Sequence, residues 1–175
     1  MIRKSIKLVV KEYFFTNPSA KMRVRQLERT LNIPLPSVIR YCKELEQEDI
    51  LRKEVIGNVT FYTSNRDKKY FLEKKLFNLK LIYDSGIVEY LKKELSNPVI
   101  IVFGSYSRGE DVESSDVDIY IETLSEKKLN LKKYEDKLSR NIQIFGNKSI
   151  KQIKNKHLVN NILNGITLNN QIEVF

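Results

Sequence analysis

The sequence predicts an α+β chain, and three observations carry that reading. Apolar residues recur at helical intervals through the first 45 positions; two strand-like runs, 50–56 and 59–63, flank the pair Gly57-Asn58. Further on, two apolar runs, 99–103 and 117–121, enclose a polar loop that opens with Gly104-Ser105 and ends with Asp116-Val117-Asp118. A length of 175 residues suits one domain or two small ones, and 41% hydrophobic residues suffice to bury cores.

Taken in order, Ile2, Ile6, Val9, Val10, Tyr13 and Phe14 have amphipathic helix spacing over residues 2–15, and Asn17-Pro18-Ser19 ends that helix. Val24, Leu27 and Leu31 mark a short second helix, and a turn at Asn32-Ile33-Pro34 follows it. Pro36-Ser37 opens a third, with Val38, Ile39, Cys42 and Leu45 inward and Ser37, Arg40, Tyr41 and Glu44 outward. Gly57-Asn58 is a two-residue hairpin signal between the strand-like runs. Residues 66–95 read as connecting helices. The first carries Phe71, Leu72, Leu76, Leu79, Ile82 and Tyr83, a break falls at Asp84-Ser85-Gly86, and the second carries Val88, Leu91 and Leu95. After Asp118 the pattern gives a Lys-rich helical stretch to about Ser139, a strand over 141–145, and helical turns through Ile150, Ile153 and Leu158 to Leu163.

Three helices followed by a hairpin, with the phrase at residues 45–52 between them, resemble a winged helix-turn-helix over residues 1–65. The resemblance implies that the third helix and the hairpin tip meet double-stranded DNA, which makes Ser37, Arg40, Tyr41, Arg52, Lys53 and Asn58 the candidate contacts. Charge agrees in part: residues 1–97 hold 20 Lys+Arg against 12 Asp+Glu, whereas residues 98–175 hold 11 against 10. Glu44, Glu46, Glu48 and Asp49 would repel phosphates, so a docking or dimerisation module is the competing reading.

The loop from Gly104 to Asp118 carries the chemistry. Side chains alternate along a strand, so Asp116 and Asp118 share one face about 7 Å apart, at roughly 3.3 Å per residue. Val117, Ile119 and Ile121 then face the core. Two converging carboxylates call for a hard cation such as Mg²⁺, and Gly104 permits a sharp turn that offers Ser105 to an anion. Gly104, Ser105, Arg108, Gly109, Asp116 and Asp118 at this spacing resemble the nucleotidyltransferase superfamily that includes DNA polymerase β, and within it the minimal nucleotidyltransferase domains, loosely from Ile87 to Asn169.

That resemblance implies nucleotide-binding roles for Gly104, Ser105 and Arg108, and catalytic and Mg²⁺-binding roles for Asp116 and Asp118. The substrate is a nucleoside triphosphate, ATP first, and the acceptor is a hydroxyl, including that of a partner protein such as a small helical toxin. It also implies a third carboxylate on the next strand, and there the sequence departs: Gln143 holds that position, and an amide cannot take a proton at neutral pH. Glu122 lies four residues beyond Asp118, and nothing in the sequence places Glu173. The competing function is a transcription regulator whose degenerate nucleotidyltransferase domain senses nucleotides.

The expected organisation is a winged helix at 1–65, connecting helices at 66–97 and a nucleotidyltransferase domain with a short mixed sheet at 98–175. Without a membrane-length apolar segment or a secretory signal the chain reads as cytoplasmic, and a homodimer is compatible with it. Cys42 reads as a small buried hydrophobe and His157 as a helix-start or surface residue.

Overall fold

A computed structural model describes residues 5–173. The chain divides into two compact units, Met1–Phe77 and Asn78–Phe175.

In the first unit, α1 (Ile6–Thr16) starts at Ser5, whose Oγ accepts from the Leu8 backbone N–H, and ends where the Asn17 N–H turns back to the Tyr13 carbonyl. The position Ile2 assigned to this helix lies outside the described residues. A two-residue strand, β1 (Lys21–Met22), leads into α2 (Val24–Leu31), which stops at Asn32 in the left-handed region at φ 52°. Then α3 (Leu35–Gln47) starts with Pro36 in its first turn, where the missing N–H costs nothing. Strands β2 (Leu51–Ile56) and β3 (Val59–Ser64) form a hairpin around Gly57-Asn58, with Ile56 opposite Val59. The sheet order is β1-β3-β2, all antiparallel.

Val10, Phe14, Leu27, Val38, Cys42, Leu45, Ile50, Leu51 and Tyr70 fill this unit's core. Burial pushes the Cys42 thiol up to about 12, the inert small-hydrophobe role expected of it. Ile39 corrects the inward set: it is 45% exposed. Val38, Cys42 and Leu45 stand at i, i+4 and i+7 and already make one stripe, from which Ile39 is turned by a full residue step.

One continuous helix, α4 (Lys68–Ser85), follows. Its buried positions are Tyr70, Lys74, Asn78, Ile82 and Ser85, whereas Leu72, Leu76 and Tyr83 are exposed. Gly86, at φ 83°, makes the break before α5 (Ile87–Glu94).

The second unit is built on β4 (Val99–Phe103), β5 (Val117–Glu122), β6 (Ile142–Asn147) and β7 (Ile166–Asn169), with α6 (Gly104–Arg108), α7 (Lys132–Leu138) and α8 (Lys156–Leu163) between them. The order is β6-β5-β4-β7; β5 and β6 run parallel and the other neighbours antiparallel, so the sheet is mixed. Alternation sorts the strands onto two cores. Ile100, Val102, Val117, Ile119, Ile121 and Ile142 join α5 residues Ile87, Val88 and Leu91 on one face, while Ile101, Phe103 and Tyr120 meet Ile150 and Ile162 on the other. Strand β7 has no counterpart among the expected elements. The Lys-rich stretch is helical only over α7; residues 123–131 are irregular, and the Tyr90 hydroxyl there accepts from the Asn130 N–H. His157 is exposed in the first turn of α8, capped by Asn155.

No helix among the described residues is long and apolar enough to cross a membrane.

Candidate functional site

The register of β4 against β5 puts Asp118 opposite Phe103, the residue before the Gly104 turn. Gly104 sits at φ 74°, in the left-handed region, and a Cβ built on it would overlap Oδ2 of Asp118. The backbone at this turn therefore lies directly against the Asp118 carboxylate, a contact that only glycine allows. Ser107, which the sequence reading did not single out, holds the turn: its buried hydroxyl donates to the Gly104 carbonyl at 2.9 Å. Its i, i+3 relation to Gly104 is an ordinary short-range pattern and gave no distinctive signal. Ser105 is half-buried at the head of α6, and its carbonyl accepts from the Glu110 N–H at 3.0 Å, closing the loop behind it. Arg108 is exposed, with Nε 2.7 Å from Glu110 Oε2.

Asp116 is half-buried just ahead of β5, and Asp118 is half-buried within it. Burial, and then the charge of Asp116, hold the Asp118 carboxyl above the usual carboxylate range. A raised value means that the Asp118 carboxylate is disfavoured where it stands and gains when a cation joins it.

The parallel pairing of β5 with β6 makes Gln143 the direct partner of Asp118. Gln143 is exposed, and its neighbours Ile142 and Ile144 pack on the opposite face. The other two acids stand apart. Glu122 is opposite Val99 at the far end of β5, where its Oε2 accepts from the Tyr120 hydroxyl and the Ile150 N–H. Strand β7 runs from Val102 toward Ile100, and Asn170 beyond it donates to the Asn97 carbonyl, so the chain bearing exposed Glu173 travels away from Asp118.

A buried polar cluster underlies the loop. Asp111 is 2% exposed; Asn78 Nδ2 donates to its Oδ1 at 2.7 Å and to the Tyr106 carbonyl at 2.9 Å, and Arg140 Nη2 lies 3.6 Å from its Oδ2. The Val112–Ser115 turn, closed by Val112 N–H to Ser115 Oγ, then delivers Asp116. A groove of about 410 Å³ lined by Ser115, Arg140 and Asn141 adjoins this end of the sheet. The larger groove, about 640 Å³ and lined by Pro98, Glu122 and Lys148, lies at the opposite end and meets none of this chemistry.

Residues 85–168 match the family model of the nucleotidyltransferase domain. The match includes Gly104, Ser105, Arg108, Asp116, Asp118 and Gln143 and leaves the first unit outside. No curated protein and no solved structure matches the chain.

Among the described residues no group of three or more His, Cys, Asp or Glu side chains is gathered as a metal cluster. The donors here are two carboxylates with the Gly104 turn packed on one of them. That set fits Mg²⁺, which commonly takes one or two protein carboxylates and fills its other positions with water and substrate phosphates.

In the first unit, Arg40 and Asn58 are exposed, as are Arg52 and Lys53 on β2, whereas Ser37 and Tyr41 are half-buried. Arg40 stacks on Tyr41, 4.3 Å from the ring centroid, and approaches Glu44 at 3.6 Å. Arg52 pairs with Glu54 and Lys53 with Glu46, at 2.9 and 2.6 Å.

Proposed function

We propose that the second unit binds a nucleoside triphosphate, ATP first, together with Mg²⁺, and transfers the nucleoside monophosphate to a hydroxyl of a protein or other acceptor in the cytoplasm; a small helical toxin is one such acceptor. The observation that carries this reading is the contact of the Gly104 turn with Asp118, because it brings a phosphate-sized turn and a metal-seeking carboxylate to one spot. Asp116 and Asp118 would hold Mg²⁺, which when bound supplies positive charge against the triphosphate oxygens. Gly104 and Ser105 offer backbone N–H and hydroxyl to phosphate, and Arg108, once turned from Glu110, adds a cation. The acceptor oxygen forms a bond to the α-phosphorus, the α–β phosphoanhydride bond breaks, and pyrophosphate leaves. The acceptor proton goes to solvent, because Gln143 cannot take it.

Calorimetry with ATP, with and without Mg²⁺, tests this. Wild type is expected to bind the pair, and Asp116→Ala/Asp118→Ala to lose it. Gly104→Ala, which forces a strained φ and a clash with Asp118, should weaken binding by about tenfold or more, in line with strain of roughly 1–3 kcal/mol. Equal heats in wild type and the double variant would overturn the reading.

A second reading rests on Gln143 beside Asp118: a transcription regulator whose degenerate domain binds nucleotide and transfers little. Either reading pairs the domain with an N-terminal winged helix that binds duplex DNA through Ser37, Arg40, Tyr41, Arg52, Lys53 and Asn58. With three cations among these, the slope of log affinity against log salt is expected at about −2.7, a loss of about 40-fold between 50 and 200 mM salt. Arg40→Ala should lower that slope by about one. Gel-shift titrations of the full chain check it, and no shift at low salt would make the unit a docking module.

A further inference from the structure

Strand β6 is an open edge of its sheet, with β5 on one side of it and no strand among the described residues on the other. The Val117 N–H donates to the Asn141 carbonyl and the Thr123 N–H to the Asn147 carbonyl, so the odd-numbered residues of β6 turn their backbone groups to β5. Ile142, Ile144 and Gly146 turn theirs outward. The Ile142 N–H is met by Glu135 Oε1 at 3.1 Å, whereas the N–H and C=O of Ile144 and Gly146 meet no described residue. Nothing in the strand blunts this edge. Strand β2, at the edge of the other sheet, carries Arg52, Lys53 and Glu54, but β6 has no charge and no proline, two usual guards against pairing with another chain. Gly146 is exposed, and a Cβ built on it would meet no atom within 4 Å.

The free backbone groups select the occupant. Antiparallel strands bond only where both residues face the shared edge, and a two-fold axis through Phe145 sets Ile144 opposite Gly146 of the partner subunit on either side of it. Each such pair exchanges both of its N–H and C=O groups, and Ile142 keeps Glu135. The side chains agree with this register. On the face packed by α7, Ile144 stands opposite a glycine that leaves it room; on the face of Asp118, Phe145 meets Phe145 of the partner subunit, and Gln143 meets the partner's Asn147, amide against amide. Charges fall only at the ends. Lys148 comes opposite the partner's Ile142, whose N–H holds a glutamate, and Glu126 lines a groove with Gly146 and Lys148. Glu135 already shares a groove with Lys128 and Lys132, and Lys132 is held by Asp136 at 3.0 Å, so the ends add little and the strand itself carries the pairing. An axis through Ile144 instead would set Arg140 against Lys148 of the partner subunit and take the Ile142 N–H from Glu135.

We propose that the chain forms a homodimer in which two β6 strands pair antiparallel about Phe145, joining two four-stranded sheets into one. Main-chain hydrogen bonds supply the affinity, as in strand addition generally, and one strand from each subunit makes a small, reversible interface. The pairing also gives Gln143, the ladder partner of Asp118, a neighbour from the other subunit.

Sedimentation velocity of the full chain over a wide concentration range tests the proposal independently of nucleotide or DNA binding. Wild type is expected to show a monomer–dimer equilibrium. Gly146→Pro removes an N–H that bonds nothing in the single chain, so its circular dichroism should match wild type while its dimer weakens by about tenfold or more, a hydrogen bond being lost on each side of the axis. Cysteine cross-linking reads the register, with Cys42 buried and out of reach. Phe145→Cys should form a disulfide across the axis, because facing residues of a non-hydrogen-bonded pair stand about 4.5 Å apart between Cα atoms. An equimolar mixture of Gln143→Cys and Asn147→Cys should cross-link as a heterodimer, a second readout that leaves Phe145 in its core. A wild-type chain that stays monomeric at the highest concentration overturns the proposal, as does a dimer indifferent to Gly146→Pro. A dimer in which neither the Phe145→Cys chain nor the mixture cross-links overturns the pairing of β6 about Phe145.

Discussion

Gln143→Asp is expected to raise nucleotide transfer by about 10²- to 10⁴-fold, the usual contribution of a positioned base. The geometry behind this is the β5–β6 register. Asp118 and Gln143 are direct partners in a parallel pair, so their side chains leave the sheet on the same face. An amide at that place can donate and accept hydrogen bonds, but at neutral pH it cannot hold the proton of an attacking hydroxyl. A carboxylate can, and Asp would put one beside Asp118 on a side chain one methylene shorter than that of Gln143. The cost is a third negative charge near a pair that already holds the Asp118 carboxyl high, so the gain requires Mg²⁺ and should vanish without it. Labelled nucleotide incubated with the protein and a candidate acceptor gives the measurement, with Glu173→Ala as a control expected to change nothing. A fast wild-type rate, lost in Glu173→Ala and unimproved in Gln143→Asp, would show that another acid does the work. No transfer by wild type together with measurable transfer by Gln143→Asp would favour the nucleotide-sensing reading.

What the sequence shows well and badly follows from how local each signal is. The Asp118 strand was legible because Val117, Ile119 and Ile121 must alternate against a core, and all three are fully buried. The Gln143 strand was legible for the same reason from Ile142 and Ile144. The hairpin needed only Gly57-Asn58 between two apolar runs. Strand β1 has two residues, and β7 has four, whose alternation of Ile166 and Leu168 with Thr167 and Asn169 is too short a run to stand out. Both exist because β3 and β4 offer them an edge, which is a tertiary fact. The stretch over 123–131 has the composition of a helix but settles as an irregular segment. Along α4 the apolar residues Leu72, Leu76 and Tyr83 keep helical spacing yet are exposed, and the buried positions include Tyr70, Lys74, Asn78 and Ile82. Hydrophobic spacing locates a stripe on a helix without saying whether the same chain covers it.

The cluster at Asp111 was invisible in the sequence, since residues 78, 111 and 140 are joined by no local pattern, and it carries the second large expected effect. Arg140→Met should destabilise the protein by about 3 kcal/mol, because removing one member of a buried ion pair takes away part of what offsets the desolvation of the Asp111 charge. For a unit of about a hundred residues, that lowers its melting temperature by roughly 12–24 °C. Asp111→Asn should cost less, since its amide oxygen still accepts from Asn78 Nδ2 while the negative charge is gone. The double variant Asp111→Asn/Arg140→Met then has no buried charge at this pair and should recover much of the loss, giving a coupling energy of opposite sign to the single effects. Melting curves of the four proteins measure that cycle; additive losses would mean that the 3.6 Å approach of Arg140 to Asp111 is incidental. The same set reports on function. Asp111 anchors the middle of the connection from Ser105 to Asp116, so a loosened loop separates the Gly104 turn from the carboxylates. ATP–Mg²⁺ affinity should therefore fall in Arg140→Met, at a temperature where it is still folded, and return in the double variant.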